Sequence, residues 1–294
     1  MSDLFDNCEN ITSSEFKIML DTTNEMAQEA KAFCVRLWEN YKPYADDQFL
    51  SAIKSDGKFQ DRFWEMHLGN ALLEKGFNVS SENKGPDFKI DLNGQIVWIE
   101  AITASNGELK NPDRIIPLDN SEDTTSVNDD QIALRLRYSV ESKSDKIKKY
   151  LEKNTINENE PIVVAINTSK IDVVFADEFI DYANMIFFAK SINSFFKNEN
   201  GEIIPIKSNY VKRTKGFCVP TNIFLDNRYE HISAVLFSKS SYSKCNQKEL
   251  NDDYLLVCNP FAKNKLPKEI FTIAKKVLFH ESDDLIKLFK KDEK

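Results

Sequence analysis

The dipeptide Asn93-Gly94, set between two runs that alternate apolar and polar residues, constrains this chain more than any other feature. Both residue types accept positive φ, which a type I′ turn needs, so residues 86–92 and 95–103 are predicted to be the two strands of one hairpin. Around such a turn, residues equidistant from its centre lie opposite each other, and Asp87 therefore faces Glu100. Cross-strand partners point to the same side, with Cβ atoms about 4.5–5.5 Å apart. Their neighbours Phe88, Ile90, Val97, Ile99 and Ala101 are apolar. Two carboxylates opposed in such surroundings repel each other and destabilise the pair. Their pKa values are forced apart unless a cation lies between them. A hard divalent cation resolves the conflict, since Mg²⁺ is typically held by one or two carboxylates together with phosphate oxygens. The alternative is a bulge or register slip that turns one carboxylate to solvent.

The rest of the chain reads as helices and strands around this hairpin. Met26, Ala30, Phe33, Cys34, Leu37 and Tyr41 form a helical stripe over residues 25–41, ended by Lys42-Pro43. A short helix follows over 47–54. A strong one covers 59–75, with Gly76 as its stop. Residues 104–130 are polar and read as a long loop, a length usually tied to function or mobility. Residues 131–153 form a long helix, 161–168 a buried strand, 177–190 a helix and 197–216 a polar, basic connection. Residues 232–238 and 254–258 are strands, and 266–291 returns to helix. The order α-β-β-α-β-α-β-β-α predicts an α/β fold with a mixed sheet flanked by helices. Residues 1–57 form a helical N-terminal extension, and 58–294 are expected to make one α/β domain.

Composition narrows the class. With 21 Phe, 9 Tyr and 3 Trp in 294 residues, the chain has ample apolar material for a core and is not disordered throughout. Five scattered cysteines without a C-x-x-C pair fit free thiols rather than a disulfide framework or zinc site. The acidic start lacks the basic and apolar regions of a signal peptide, and no apolar run reaches the ~20 residues of a membrane helix. The expectation is a cytoplasmic protein without a membrane partner. The net charge of −8 conceals two poles. Residues 1–130 hold 25 acidic and 12 basic side chains, whereas residues 131–294 hold 22 acidic and 27 basic ones.

The stretch from Phe63 to Thr103 carries the chemistry. It contains Glu65 on the 59–75 helix, Pro86-Asp87 at the start of one strand and Glu100 in the hydrophobic next strand. A helix with an acidic residue, a Pro-Asp strand, a strand with a second acid and a following helix resembles the PD-(D/E)XK nuclease superfamily, the restriction-endonuclease-like fold. The resemblance covers about residues 59–168, leaving 169–294 as a C-terminal elaboration. It implies that Glu65, Asp87 and Glu100 bind Mg²⁺, or Mn²⁺ in its place, which activates a water to attack a phosphodiester. It also shows a departure: the superfamily's lysine lies two residues after the second acid, where this chain has Ile102.

Two lysines could replace it. Lys89 follows Asp87 by two residues and shares its strand face. Lys143 interrupts the apolar stripe Ile132, Leu136, Val140, Ile147 and Tyr150 of the next helix, where a lysine must snorkel or face a polar site. We prefer Lys143. The bland alternative is a solvated helix edge beside the basic cluster Lys146, Lys148 and Lys149. The row Gln131, Arg135, Ser139, Lys143 places polar groups along one helix edge, with Gln131 and Arg135 near substrate. Lys212, Arg213 and Lys215, interleaved with Tyr210 and Phe217, suit phosphate contact and base stacking, or simply an exposed basic loop. His67, His231 and His280 read as structural.

The expectation is a metal-dependent nuclease with nucleic acid as its partner, DNA before RNA, and room for a homodimer. Its rivals are a nuclease-fold module that binds nucleic acid or a protein without cleaving, and a toxin or effector acting on RNA or a protein.

Overall fold

The computed structural model describes residues 3–6, 8–82, 84–116, 129–171, 173–189, 191–197, 203–208, 210–245, 247–280 and 286–290. The protein is an α/β structure built on an eight-stranded mixed sheet with helices on both faces. Its spatial order is β1 (Asn78–Ser80), β2 (Phe88–Leu92), β3 (Gln95–Ser105), β4 (Ile162–Lys170), β9 (Ala234–Ser238), β10 (Leu255–Cys258), β11 (Lys276–His280) and β12 (Ile286–Lys290). Two small hairpins lie outside it: β5 (Ser191–Lys197) with β6 (Ile203–Ser208), and β7 (Tyr210–Lys212) with β8 (Cys218–Pro220).

The central hairpin has the expected register. Phe88 pairs with Ile99, Ile90 with Val97 and Leu92 with Gln95. Asn93 and Gly94 sit at φ 55° and 93°, both in the left-handed region that this turn needs. β3 then runs parallel to β4, and β4 parallel to β9. A parallel neighbour requires a crossover, supplied between β3 and β4 by the helix α5 (Asp129–Glu152).

Two apolar layers sandwich the sheet. On one face α2 (Glu25–Tyr41), α3 (Phe49–Ile53) and α4 (Phe59–Glu74) bury Phe33, Trp38, Phe49 and Phe63 against Phe88, Ile90 and Ile99. On the other, α5 and α6 (Phe179–Phe187) cover Trp98, Val164, Ile166 and Phe237. The N-terminal helices are therefore a full layer of the sandwich, sharing one continuous core with the sheet. A first short helix, α1 (Ser14–Ile18), is capped by the Ser13 hydroxyl accepting from the Phe16 N–H, and buries Phe16 in the same layer.

The helix expected over 266–291 is not formed. A 3₁₀ segment at Lys268–Ile273 is followed by β11 and β12. The reason is visible at Val277 and Leu278. These neighbours are both buried, one in each apolar layer, which a strand between two layers achieves and a helix cannot. Pairing with the open edge of β10 decides the matter over local propensity. The connection expected over 197–216 likewise contains strands. Part of the expected 104–130 loop, residues 117–128, lies outside the described residues.

All five cysteines are free. Among the described residues no helix is long and apolar enough to cross a membrane.

Candidate functional site

The site begins where β2 stops pairing. Pro86 has no N–H to continue the ladder, and Asp87 lies one residue before β2. Its carboxylate turns toward β3 and accepts the Ala101 N–H at 2.6 Å. That bond holds Asp87 beside Glu100, the position the register would reach one pair beyond Phe88 and Ile99. Burial, and then the charge of Glu100, push the Asp87 pKa up.

Glu100 is fully buried in the middle of β3. Its Oε1 accepts from Lys143 Nζ at 2.5 Å and Lys146 Nζ at 2.6 Å, both from α5. Its Oε2 is buried without a hydrogen-bond partner among the described residues. Lys143, Lys146 and Tyr150 follow each other at spacings of three and four, one face of a helix. Lys143 is the more enclosed of the two lysines, with 15% of its side chain exposed against 44% for Lys146. Burial opposes the Lys146 charge, but Glu100 and Asp87 outweigh it and hold the ammonium above the ordinary lysine pKa.

Glu65 arrives from the other layer, on α4. Arg62, one turn earlier, donates to Glu65 at 2.7 Å and to Asp46 at 2.8 Å. Burial and the neighbouring Asp87 nevertheless raise Glu65 to about 7. Glu65, Asp87, Arg62 and Lys146 line one cavity of about 320 Å³, walled also by Tyr41, Tyr44, Tyr150 and the loop around Pro86. A larger groove of about 840 Å³ crosses the end of α5, but Glu158 within it is already paired with Lys263 at 2.8 Å.

The fold thus brings together Glu65, Asp87, Glu100 and Lys143. It does not bring Lys89 to them: its ammonium bonds Glu82 at 2.9 Å and lies over the Trp98 ring. Gln131 and Arg135 are also elsewhere. Arg135 donates to the Ser105 carbonyl at 2.8 Å, at the far end of β3. A four-residue row rotates by about 120° over the three steps from 131 to 143 and travels about 18 Å, so it does not stay on one face. Lys212, Arg213 and Lys215 lie in and after β7, at that same far end. The Lys212 N–H donates to Asp130 and the Thr214 N–H to Asp113.

Lys146, Tyr150, Arg62 and the wall formed by Tyr41, Tyr44 and Asp46 were not singled out by sequence reasoning. For Lys146 the signal existed, one turn after Lys143. For the residues before 57 it did not, because their contact with the hairpin is purely tertiary. Of the histidines, His67 is fully buried and bonded to the Tyr254 hydroxyl at 3.0 Å, with its pKa lowered by burial to about 3. His231 contacts the Ser144 hydroxyl at 2.9 Å. The side chain of His280 lies outside the described residues.

Among the described residues no three His, Cys, Asp or Glu side chains are gathered closely enough to hold a metal ion by themselves. Asp87 and Glu100 form a smaller donor pair. Two carboxylates, with further oxygens from substrate and water, match the usual environment of Mg²⁺. The unpartnered Glu100 Oε2 fits such a role, because a buried carboxylate oxygen without a partner is costly. Comparison with protein-family models, curated proteins and solved structures found no match.

Proposed function

We propose that the protein is a metal-dependent phosphodiester hydrolase acting on nucleic acid, DNA before RNA, with the architecture of a PD-(D/E)XK nuclease. The observation that carries this reading is the pair of half-buried Asp87 and fully buried Glu100 at the end of the β2–β3 hairpin, with one Glu100 oxygen on two lysines and the other without a partner among the described residues.

Asp87 and Glu100 would hold a Mg²⁺ or Mn²⁺ ion, which when bound lowers the pKa of water and offsets charge on the phosphoryl oxygens. The chain's own groups supply the rest. The Ala101 N–H fixes the Asp87 carboxylate and keeps it aimed at Glu100. Lys143, enclosed and bonded to Glu100, would set an ammonium beside the carboxylate pair, where negative charge develops during attack on phosphorus. Lys146, more exposed and at the cavity wall, is placed to meet a non-bridging phosphate oxygen. Glu65 can take or release a proton near neutrality. On this reading α5 would deliver the cation that position 102 lacks. A cytoplasmic location suits the free thiols.

One observation favours a second reading. Glu100 with two lysines is itself a satisfied ion cluster on one oxygen, which suits a module that binds without cleaving. The test separates the two. Purified protein is incubated with plasmid, linear duplex, single-stranded DNA and RNA in Mg²⁺, Mn²⁺ or EDTA. The expected result is metal-dependent cleavage that falls at least a hundredfold in Asp87→Ala and Glu100→Gln, with both variants still folded by circular dichroism. Removing one group that stabilises a transition-state charge typically costs about 10²–10³ in rate. Lys143→Ala should lose as much, while Lys89→Ala keeps wild-type rates. Binding without cleavage under every metal condition establishes the second reading instead.

A further inference from the structure

The walls of the cavity bear on the form of the substrate. Resting on the hydrolase reading above, we infer that the strand to be cut enters unpaired, with a base against Tyr44 and Tyr150, and that a continuous duplex does not reach Asp87 and Glu100. Three observations lead there. First, the cavity holds only about 320 Å³ and is lined on one side by Tyr41, Tyr44 and Asp46 of the N-terminal layer and on another by Ser81, Glu82, Lys84 and Pro86. Asp87 lines this cavity and Glu100 beside it is fully buried, so a scissile phosphate reaches the pair only by entering the cavity. A phosphate still held in a duplex brings a second strand with it, and a cavity of this volume does not take both.

Second, two half-buried tyrosines line the cavity. Tyr44 is backed by Tyr41 at 6.4 Å between ring centroids, and Tyr150 is held by Lys146, whose ammonium lies 5.5 Å from its ring. The same ammonium is 2.6 Å from Glu100. The Tyr150 ring and the carboxylate pair are therefore bridged by one side chain, a separation that suits a phosphate and the base attached to it. A base inside a duplex is already stacked and must leave that stack to meet a protein ring. An unpaired base meets it freely, and stacking contributes about 1–3 kcal/mol per base.

Third, the charges do not suit a duplex. Affinity for duplex backbone comes from many cations facing many phosphates. At this cavity Asp46 and Glu82 stand on the rim beside Glu65 and Asp87, and Arg62 is bonded to two of these acids. Lys146 is itself bonded to Glu100, and Lys84 is the one further cation among the described lining residues, too few for the phosphates of two strands.

The experiment compares a labelled single-stranded DNA oligonucleotide, its blunt duplex and the same duplex carrying an unpaired tail, in Mg²⁺ and in Mn²⁺. The single strand and the tail should be cut at least tenfold faster than the paired region. Tyr44→Ala and Tyr150→Ala should each raise KM for the single strand roughly 5- to 150-fold, the equivalent of one lost stack, with kcat retained. Tyr44→Phe and Tyr150→Phe, which keep the ring, should restore KM. Fluorescence anisotropy of the single strand and the duplex in EDTA reads the same preference without turnover. Equal cutting of duplex and single strand, insensitive to both alanine variants, overturns the inference and leaves the hydrolase reading standing. If nothing is cut in either metal, the hydrolase reading fails, and anisotropy decides alone. A single-strand preference abolished by the alanine variants upholds the inferred strand form, and equal binding of the two forms overturns it.

Discussion

Glu65 carries two opposed influences. Arg62 donates to it and favours its charge, whereas burial and Asp87 disfavour that charge more, leaving the carboxyl at about 7. The ordinary value is 4.5, so between pH 4.5 and 7 the folded chain holds a proton that the unfolded chain has released. Stability from this group therefore falls as pH rises through that window. Glu65→Gln cannot titrate. Its melting temperature relative to wild type should climb as pH goes from 4.5 to 7, whatever the offset from losing the Arg62 ion pair. Thermal melts of both proteins across that range check the slope, and a constant difference would refute the assigned proton. Asp87 adds to the same trend, being raised by burial and by Glu100.

At the scale of elements, the site depends on how closely α4 approaches α2. Gly69 is the point of contact. A Cβ there would lie 2.7 and 2.8 Å from two carbons of the Tyr41 ring and 3.2 Å from Phe88. Those rings are buried, Tyr41 being packed also on Phe49, so neither can swing aside. In an exposed helix Gly→Ala stabilises by about 0.5–1 kcal/mol. Here overpacking costs about 1–3 kcal/mol. Gly69→Ala should therefore be destabilised by up to about 2 kcal/mol in urea denaturation. It should also weaken the proposed hydrolysis, because Tyr41 lines the cavity. A gain in stability would show that the helices can separate freely.

For the whole molecule, the N-terminal helices are as integral as the sheet. Phe33, Leu37, Trp38, Tyr41 and Phe49 belong to the same buried layer as Phe63, Phe88 and Ile99. A chain beginning at residue 58 would expose one entire face of α4 and lose the Tyr41–Asp46 wall of the site. Such a truncation is expected to be insoluble or to bind hydrophobic dyes as a loosely packed state, rather than to be a smaller active domain. Expression and near-ultraviolet circular dichroism of residues 58–294 measure this. The charge poles take on a spatial meaning at the same scale. The acidic first part supplies Glu65, Asp87 and Glu100, the basic second part supplies Lys143 and Lys146, and the two meet across Glu100.

What the sequence determined by itself is local. The Asn93-Gly94 turn set the hairpin register, because a two-residue turn leaves one pairing in which Phe88 and Ile90 face the core. That register alone opposes Asp87 and Glu100. The bounds of α2 and the approximate extents of α4, α5 and β4 were legible for the same reason, since periodicity acts within each segment. The tertiary structure decided everything that depends on which segments meet. It selected Lys143 over Lys89, because α5 lies over β3 while Glu82 draws Lys89 to the outside. It turned residues 276–280 into a strand, because the edge of β10 offered unpaired backbone groups. It also brought Tyr41, Tyr44 and Asp46 to the carboxylates from another layer. No spacing within the chain encodes that contact, which arises only when two apolar faces pack on opposite sides of one sheet.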